Sequence, residues 1–388
     1  MRIVLLRRKK PLKYGSALTI GLSLALGVVL FTVFAWIIGL NPLLVLYTIS
    51  SSFVFPGTVK DFLVLTLLGY ALLVAFKGSL WNIGAEGQFH IALLPTVYVT
   101  LICFFTLEQV PAYVSVAVIL LSIVLATIAG ALWGGLAGAI KAYAGVDEVP
   151  VTLILNYIAY YIGNILILGP FQGKYVYGYK RTDVLPDPYR VSIIVHVPNT
   201  GNPLLDNVFA YVRELIMYFA WILGLLVVVL LVRWLFNNTT LGLRIKVLGS
   251  NPDYLVTLGY DVKKLTVVTF MISGAIVGFT AALYFHGYLY RLEYPLEYVS
   301  GQYGYLAILV TWLSLLEIRL IPVSAYIVAS LIMGSQRLVA LPEVKKALEA
   351  AGFYGVETSF RLLMFGSILL TYSIMRFLQE YELKVIRE

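Results

Sequence analysis

Long apolar runs recur through almost the whole chain, and several approach or exceed the roughly 18–20 residues that a helix needs to cross a bilayer. Lipid offers no water to an open backbone group, so runs of this length can fold only as helices with every main-chain bond closed internally. They lie near residues 15–40, 60–77, 88–107, 112–140, 150–170, 215–236, 265–288, 304–317, 319–340 and 357–378. The predicted fold class is therefore an all-α polytopic membrane protein of about ten transmembrane helices. Composition agrees: of 388 residues, 60% are hydrophobic and 12% charged, a balance that excludes a water-soluble fold.

Orientation follows from the cations. Arg2, Arg7, Arg8, Lys9, Lys10 and Lys13 precede the first run, which is longer than a signal-peptide core and reads as a retained helix. The positive-inside rule then keeps residues 1–14 in the cytoplasm and, with ten spans, the C-terminus as well. Arg233, Arg244, Lys246, Lys263 and Lys264 fall in or beside a second cytoplasmic segment, 239–264. Residues 171–213 form a long external loop, rich in proline and carrying the β-prone run VSIIVHV, and Asn41–Gly57 reads as an external amphipathic segment. The formal charge of +8 reflects this topology and implies no nucleic-acid partner. The whole, 1–388, reads as a single transmembrane domain in contact with membrane lipid.

Enzyme chemistry has no foothold. G-x-x-x-x-G-K-[ST], H-E-x-x-H and G-x-S-x-G are all missing, the lone Cys103 has no partner, and His90, His196 and His286 stand apart without metal-ligand spacing. Neither a catalytic nor a metal site is expected, and the chain does not hydrolyse ATP by itself.

Three features remain. Gly130, Gly134 and Gly138, and again Gly274 and Gly278, recur every four residues, the stripe that lets helix backbones approach closely in lipid. The stretch LWNIGAEGQFH puts Asn82, Glu86, Gln88 and His90 at membrane depth. If helical, it aligns Asn82, Glu86 and His90 on one face, but its glycines allow a broken helix equally. A buried glutamate there serves either as a structural knot or as polar lining for a hydrophilic solute. Finally, Gly249, Ser250, Asn251 and Pro252 form a turn signal before DYLVTLG, predicting a short helix closed by Gly259 within 239–264. That helix is either a knob for a soluble partner or part of an ordinary solvated loop.

Four pieces, LWNIGAEGQ, DEVPVTLILNYIA, LGLRIKVLGSNPDYLVTLGYDVKKL and MISGAIVGFTAAL, resemble the permease subunits of ATP-binding-cassette importers in the branched-chain amino acid, ribose and nucleoside group, and most closely its nucleoside or simple-sugar branch. The likeness spans about Leu65 to Ala340. It implies a type II importer-like bundle in the plasma membrane that pairs with a second permease, of the same or a different chain. It also implies delivery of cargo by an extracellular substrate-binding protein and drive from separate ATPase subunits that hold the ATP and Mg, with no cofactor on this chain. By the same likeness Gly249, Asn251, Pro252 and Gly259 belong to the element that couples to the ATPase. Asn82, Glu86, Gln88, Glu148, Thr152, Asn156 and Tyr157 match motif positions, and with Tyr160 they are candidates for lining or shaping the path. The chain departs from the pattern at Tyr254, Leu255 and Val256, and at AILVTWLSLLEIRLIP, where the family carries a stretch richer in glycine and asparagine. The rival class is an ion-coupled secondary transporter using Glu86 or Glu317. It would require inverted repeats with paired broken helices, and the sequence displays none.

Overall fold

The computed structural model describes residues 2–7, 15–104, 110–176, 178–198, 200–350, 352 and 357–386. Apolar runs and glycine or proline punctuation divide these into helices. The first six are α1 (Gly15–Ile37), α2 (Pro42–Ser51), α3 (Thr58–Lys77), α4 (Ala85–Val97), α5 (Ala112–Ala139) and α6 (Glu148–Leu168). Then follow α7 (Pro203–Met217), α8 (Phe219–Asn238), α9 (Thr240–Ser250), α10 (Pro252–Thr257) and α11 (Val262–Tyr284). The last are α12 (Tyr303–Leu313), α13 (Ile321–Ala340), α14 (Pro342–Ala350) and α15 (Glu357–Glu380). Among the described residues, 8 helices are long and apolar enough to cross a membrane.

Two of the expected spans take another form. The 88–107 run becomes the 13-residue α4, continued by a π turn over Tyr98–Cys103, and the 304–317 run becomes the 11-residue α12. Both carry polar or glycine residues where an uninterrupted span would carry aliphatic ones.

The chain divides into two compact units, Val59–Tyr326 and Met1–Thr58 with Ile327–Glu388. In the larger, α5 and α11 pack backbone to backbone. A Cβ on Gly130 would stand 2.3 Å from the Gly274 carbonyl oxygen, and one on Gly278 would stand 2.2 Å from that of Ala126. Gly134 faces Phe270 and Gly274, and Gly138 faces Val267 and Phe270. The loop after α6 is tied to these helices through His286, whose ring nitrogens meet the Tyr189 carbonyl (2.7 Å) and the Ser122 hydroxyl (2.6 Å), and whose carbonyl accepts from Val191 N–H (3.0 Å). VSIIVHV forms no strand there. Instead, residues 203–217 fold as the amphipathic α7, capped by Asn202 and separated from α8 by a break at Tyr218.

In the smaller unit α1 and α15 pack through Gly27, which lies against Ile368, and Thr371 Oγ1 donates to the Ser23 carbonyl at 2.7 Å. Asn41 caps α2, and Arg337 donates to Ser51 and Ser52 while lying 4.3 Å from the Phe55 ring centroid. Here the all-α expectation gains one exception: β1 (Arg2–Arg7) pairs antiparallel with β2 (Tyr381–Ile386), Arg2 opposite Ile386. The rest of the basic segment 1–14 lies outside the described residues.

Candidate functional site

Between α3 and α4 the backbone leaves the helical path. Ser79 turns left-handed (φ 53°), Asn82 and Ile83 close short turns on Leu80 and Trp81, and α4 begins only after Gly84. LWNIGAEGQ is thus a broken helix, and Asn82 does not share a face with Glu86 and His90. Its carboxamide instead pairs reciprocally with that of Gln88 (2.9 and 3.2 Å) and donates to Ser273 Oγ on α11 (2.9 Å), which in turn donates to the Ala71 carbonyl on α3 (2.8 Å).

Glu86 is 0% exposed. One carboxylate oxygen accepts from the Ser300 hydroxyl and the other from Gly304 N–H at 2.8 Å, so the glutamate anchors the start of α12. Gly304 has no room for a side chain there, since a Cβ would stand 2.5 Å from the Glu86 nitrogen. His90, one turn along α4, contacts the Glu86 carbonyl (2.7 Å) and the Leu296 carbonyl (3.0 Å). Asn156 of α6 accepts from Gly87 N–H (2.8 Å) and donates to the Ile83 carbonyl (3.1 Å) and the Tyr305 hydroxyl (3.0 Å). At the other end of the break Glu148 accepts from Trp81 N–H (3.1 Å) and pairs with Lys141. These bonds tie α6, α11 and α12 to the unwound segment and its flanks, and give the buried polar groups the partners they require.

Of the sequence candidates, Asn82, Glu86, Gln88, Glu148, Thr152 and Asn156 come together, all buried. Tyr160 is also buried, its ring edge-on to His90 at 4.9 Å and its hydroxyl bonded to Tyr305. Tyr157 meets Tyr160 edge-on (6.1 Å between ring centroids) but is 59% exposed, with Tyr161 66% exposed one turn on. Both fall in the middle third of α6. Sequence reasoning passed over Ser273, Ser300, Gly304 and Tyr305. Ser273 sits directly before the glycine stripe of α11 and Gly304 in the first turn of α12, and the available signal was small residues at the ends and seams of apolar runs. It passed over a second cluster too, where Lys60 lies 3.2 Å from the buried Asp61 and 4.0 Å above the exposed Tyr288 ring, and the buried Tyr303 donates to Asp61.

The remaining candidates lie in 239–264. Thr239 caps α9 and Asn251 caps α10, accepting from Tyr254 N–H at 3.2 Å, with Pro252 in the first turn. Gly259 closes the helix at φ 78°, where the following Tyr260 N–H reaches the Leu255 carbonyl (2.9 Å). Leu255 is buried, whereas Tyr254, Val256 and Leu258 are exposed. Asp261 caps α11, and the Lys264 backbone N–H it accepts holds its carboxyl below the ordinary aspartate value. Among the described residues no group of His, Cys, Asp and Glu could hold a metal ion.

Apolar spans around a broken, polar-stitched helix define a multi-pass integral membrane protein whose interior is built from discontinuous helices. The chain matches the family described as branched-chain amino acid transport system / permease component over residues 56–370, and it belongs to that family. It is similar to the guanosine ABC transporter permease protein NupP of Bacillus subtilis, 29% identical over 228 residues, 58% of each chain. It is also similar to the nucleoside ABC transporter permease protein NupB of Lactococcus lactis, 26% identical over 58% of this chain and 57% of that one. A third relative is the glucose ABC transporter permease protein TsgB13 of Haloferax volcanii, 27% identical over 59% of this chain and 56% of that one. The chain spans little more than half the length of these relatives. No solved structure matches it significantly.

Proposed function

We propose that this chain is the permease subunit of an ATP-binding-cassette importer that moves a nucleoside or simple sugar across the plasma membrane by alternating access. Separate ATPase subunits supply the energy, a binding protein delivers the cargo, and a second permease completes the pathway. The observation that carries the reading is α10: a short, well-capped helix rooted by Leu255 that exposes Tyr254, Val256 and Leu258 between two apolar spans. Two large side chains on an exposed six-residue helix and a third at its C-cap suit docking into a cleft of a soluble partner. In this reading Gly249, Asn251, Pro252 and Gly259 set its shape, segment 239–264 faces the cytoplasm with both termini, and 171–213 faces outward.

The same reading divides the pathway candidates. Asn82, Glu86, Gln88 and Asn156 shape the path from behind, because their polar atoms are taken up by the broken helix. Tyr157 lines it, with Tyr160 and Tyr305 buttressing the wall. Tyrosines that face lipid gather at the membrane interfaces, where the hydroxyl finds water. Tyr157 and Tyr161 are exposed in the middle of α6 instead, which suits a hydrated path and a ring face for a base or sugar.

Purification of the tagged chain from its native membranes tests the assembly: an ATP-binding-cassette ATPase accompanies it, and is lost when Gly249–Gly259 is replaced. Reconstituted vesicles then import cargo only with ATP, and Tyr157→Leu raises the cargo concentration for half-maximal uptake several-fold with unchanged melting temperature. Recovery of the chain alone, driving uptake from an ion gradient without ATP, overturns the reading.

A further inference from the structure

The end of α9 and the broken segment after α3 meet at one point, and they meet backbone to backbone. Gly249 lies so close that a Cβ there would stand 2.4 Å from the Lys77 carbonyl oxygen and 3.1 Å from Ser79 N. Ser79 holds a left-handed backbone (φ 53°), which a non-glycine residue adopts only where its surroundings enforce it, and its hydroxyl donates to the Gly249 carbonyl at 2.8 Å. Ile245 and Leu248 of α9, both buried, pack beside Gly78.

From Ser79 the chain runs straight into the segment that is bonded to the other helices through its backbone and side chains. Trp81 N–H is held by Glu148 of α6, Asn82 by Ser273 of α11, Glu86 takes the Gly304 N–H of α12, and Gly87 is held by Asn156 of α6. Two main chains in direct contact leave no compliant side chain to absorb a displacement. A shift of α9 and α10 is therefore delivered first to Lys77–Ser79.

We propose that Ser79 and Gly249 form the joint through which movement of α10 enters the bundle, and that the unwound segment 79–88 distributes it to α6, α11 and α12. Ser79 is a positioning residue in this scheme, acting through the Gly249 carbonyl and touching neither cargo nor nucleotide. The inference rests on the importer reading above.

The test uses the complete transporter in proteoliposomes with its ATPase and binding protein, measuring ATP hydrolysed and cargo imported together. Ser79→Ala and Ser79→Gly both remove the hydroxyl, and the glycine also relieves the left-handed backbone. Ser79→Asn tolerates that backbone and restores a donor. Both deletions are expected to retain the ATPase and its hydrolysis while import per ATP falls about fivefold, the equivalent of one hydrogen bond, and the asparagine variant recovers most of it. Hydrogen exchange gives a second reading: nucleotide binding alters the amides of 79–88 in the wild type and much less in Ser79→Ala. Unchanged import per ATP in both deletion variants, or exchange at 79–88 that responds equally in all of them, overturns the joint. A wild-type complex that imports nothing with ATP removes the importer reading, and the joint with it.

Discussion

Replacing Glu86 by alanine separates a glutamate that holds the fold from one that meets the solute. Its two oxygens accept from the Ser300 hydroxyl and from Gly304 N–H, all buried. Leaving a buried donor without an acceptor costs about 1–3 kcal/mol. Glu86→Ala strands two, about 2–6 kcal/mol in all before any cavity is counted, a large part of the 5–15 kcal/mol that holds a typical domain. Glu86→Gln keeps the volume and one acceptor oxygen, so it strands at most one donor and costs about 1–3 kcal/mol. The assay is the temperature at which the detergent-purified protein loses its monodisperse peak, followed by transport on whatever survives. The expected order of stability is wild type, Glu86→Gln, then Glu86→Ala. A Glu86→Ala protein as stable as the wild type but unable to move solute would refute the knot and put the carboxylate in the path.

Two further predictions address other parts of the molecule. Gly274→Ala sets a methyl 2.2 Å from the Gly130 carbonyl oxygen. With only backbone to yield, it should cost at least the 1–3 kcal/mol typical of overpacking, lowering the melting temperature and the yield of folded protein, whereas Gly366→Ala, with open space around it, should change neither. Asp261, at the head of α11, has a carboxyl held below its ordinary value by the Lys264 backbone N–H. Its stabilising effect is therefore full above the unfolded-state value near 4 and fades as pH falls through the lower folded value. The melting difference between wild type and Asp261→Asn should be present at pH 7 and shrink below about pH 4. A difference that grows on acidification would contradict it.

Apolar runs of bilayer length made the membrane class and most of the spans legible, because lipid leaves a backbone few choices. The glycine stripes were legible for the same reason: Gly130 and Gly274 have no role that tolerates a side chain. The interior was harder. Asn82, Glu86 and Gln88 could be singled out as polar at membrane depth, but helical spacing paired Asn82 with Glu86, whereas the chain pairs it with Gln88 across the break between α3 and α4. Partners such as Ser273 and Gly304 lie 191 and 218 residues away in sequence from the groups they hold, and no local pattern announces them. The helix α7 was hidden because its apolar positions ran into those of α8, and only the break at Tyr218 separates the two.

The departure at AILVTWLSLLEIRLIP belongs to the same lesson. After α12 the chain turns through Leu315 and Leu316, both left-handed at φ 53° and 59°, in a stretch where the resembling family carries more glycine and asparagine. Those two residue types reach that region cheaply, whereas a leucine gives up about 1–2 kcal/mol there. The turn persists because its surroundings fix it: Leu315 N–H bonds the Trp312 carbonyl (3.0 Å), Glu317 N–H bonds the Ser314 carbonyl (2.9 Å), and Tyr70 donates to the Ile318 carbonyl (3.0 Å). Both leucines are half-buried, and burying an aliphatic side chain contributes about 1.5–3 kcal/mol when complete, enough to offset most of the backbone cost. The backbone path of this turn can therefore be kept by residues that do not favour it locally. Sequence alone marks such a position as a mismatch, and the bonds that override it come from residues as distant as Tyr70.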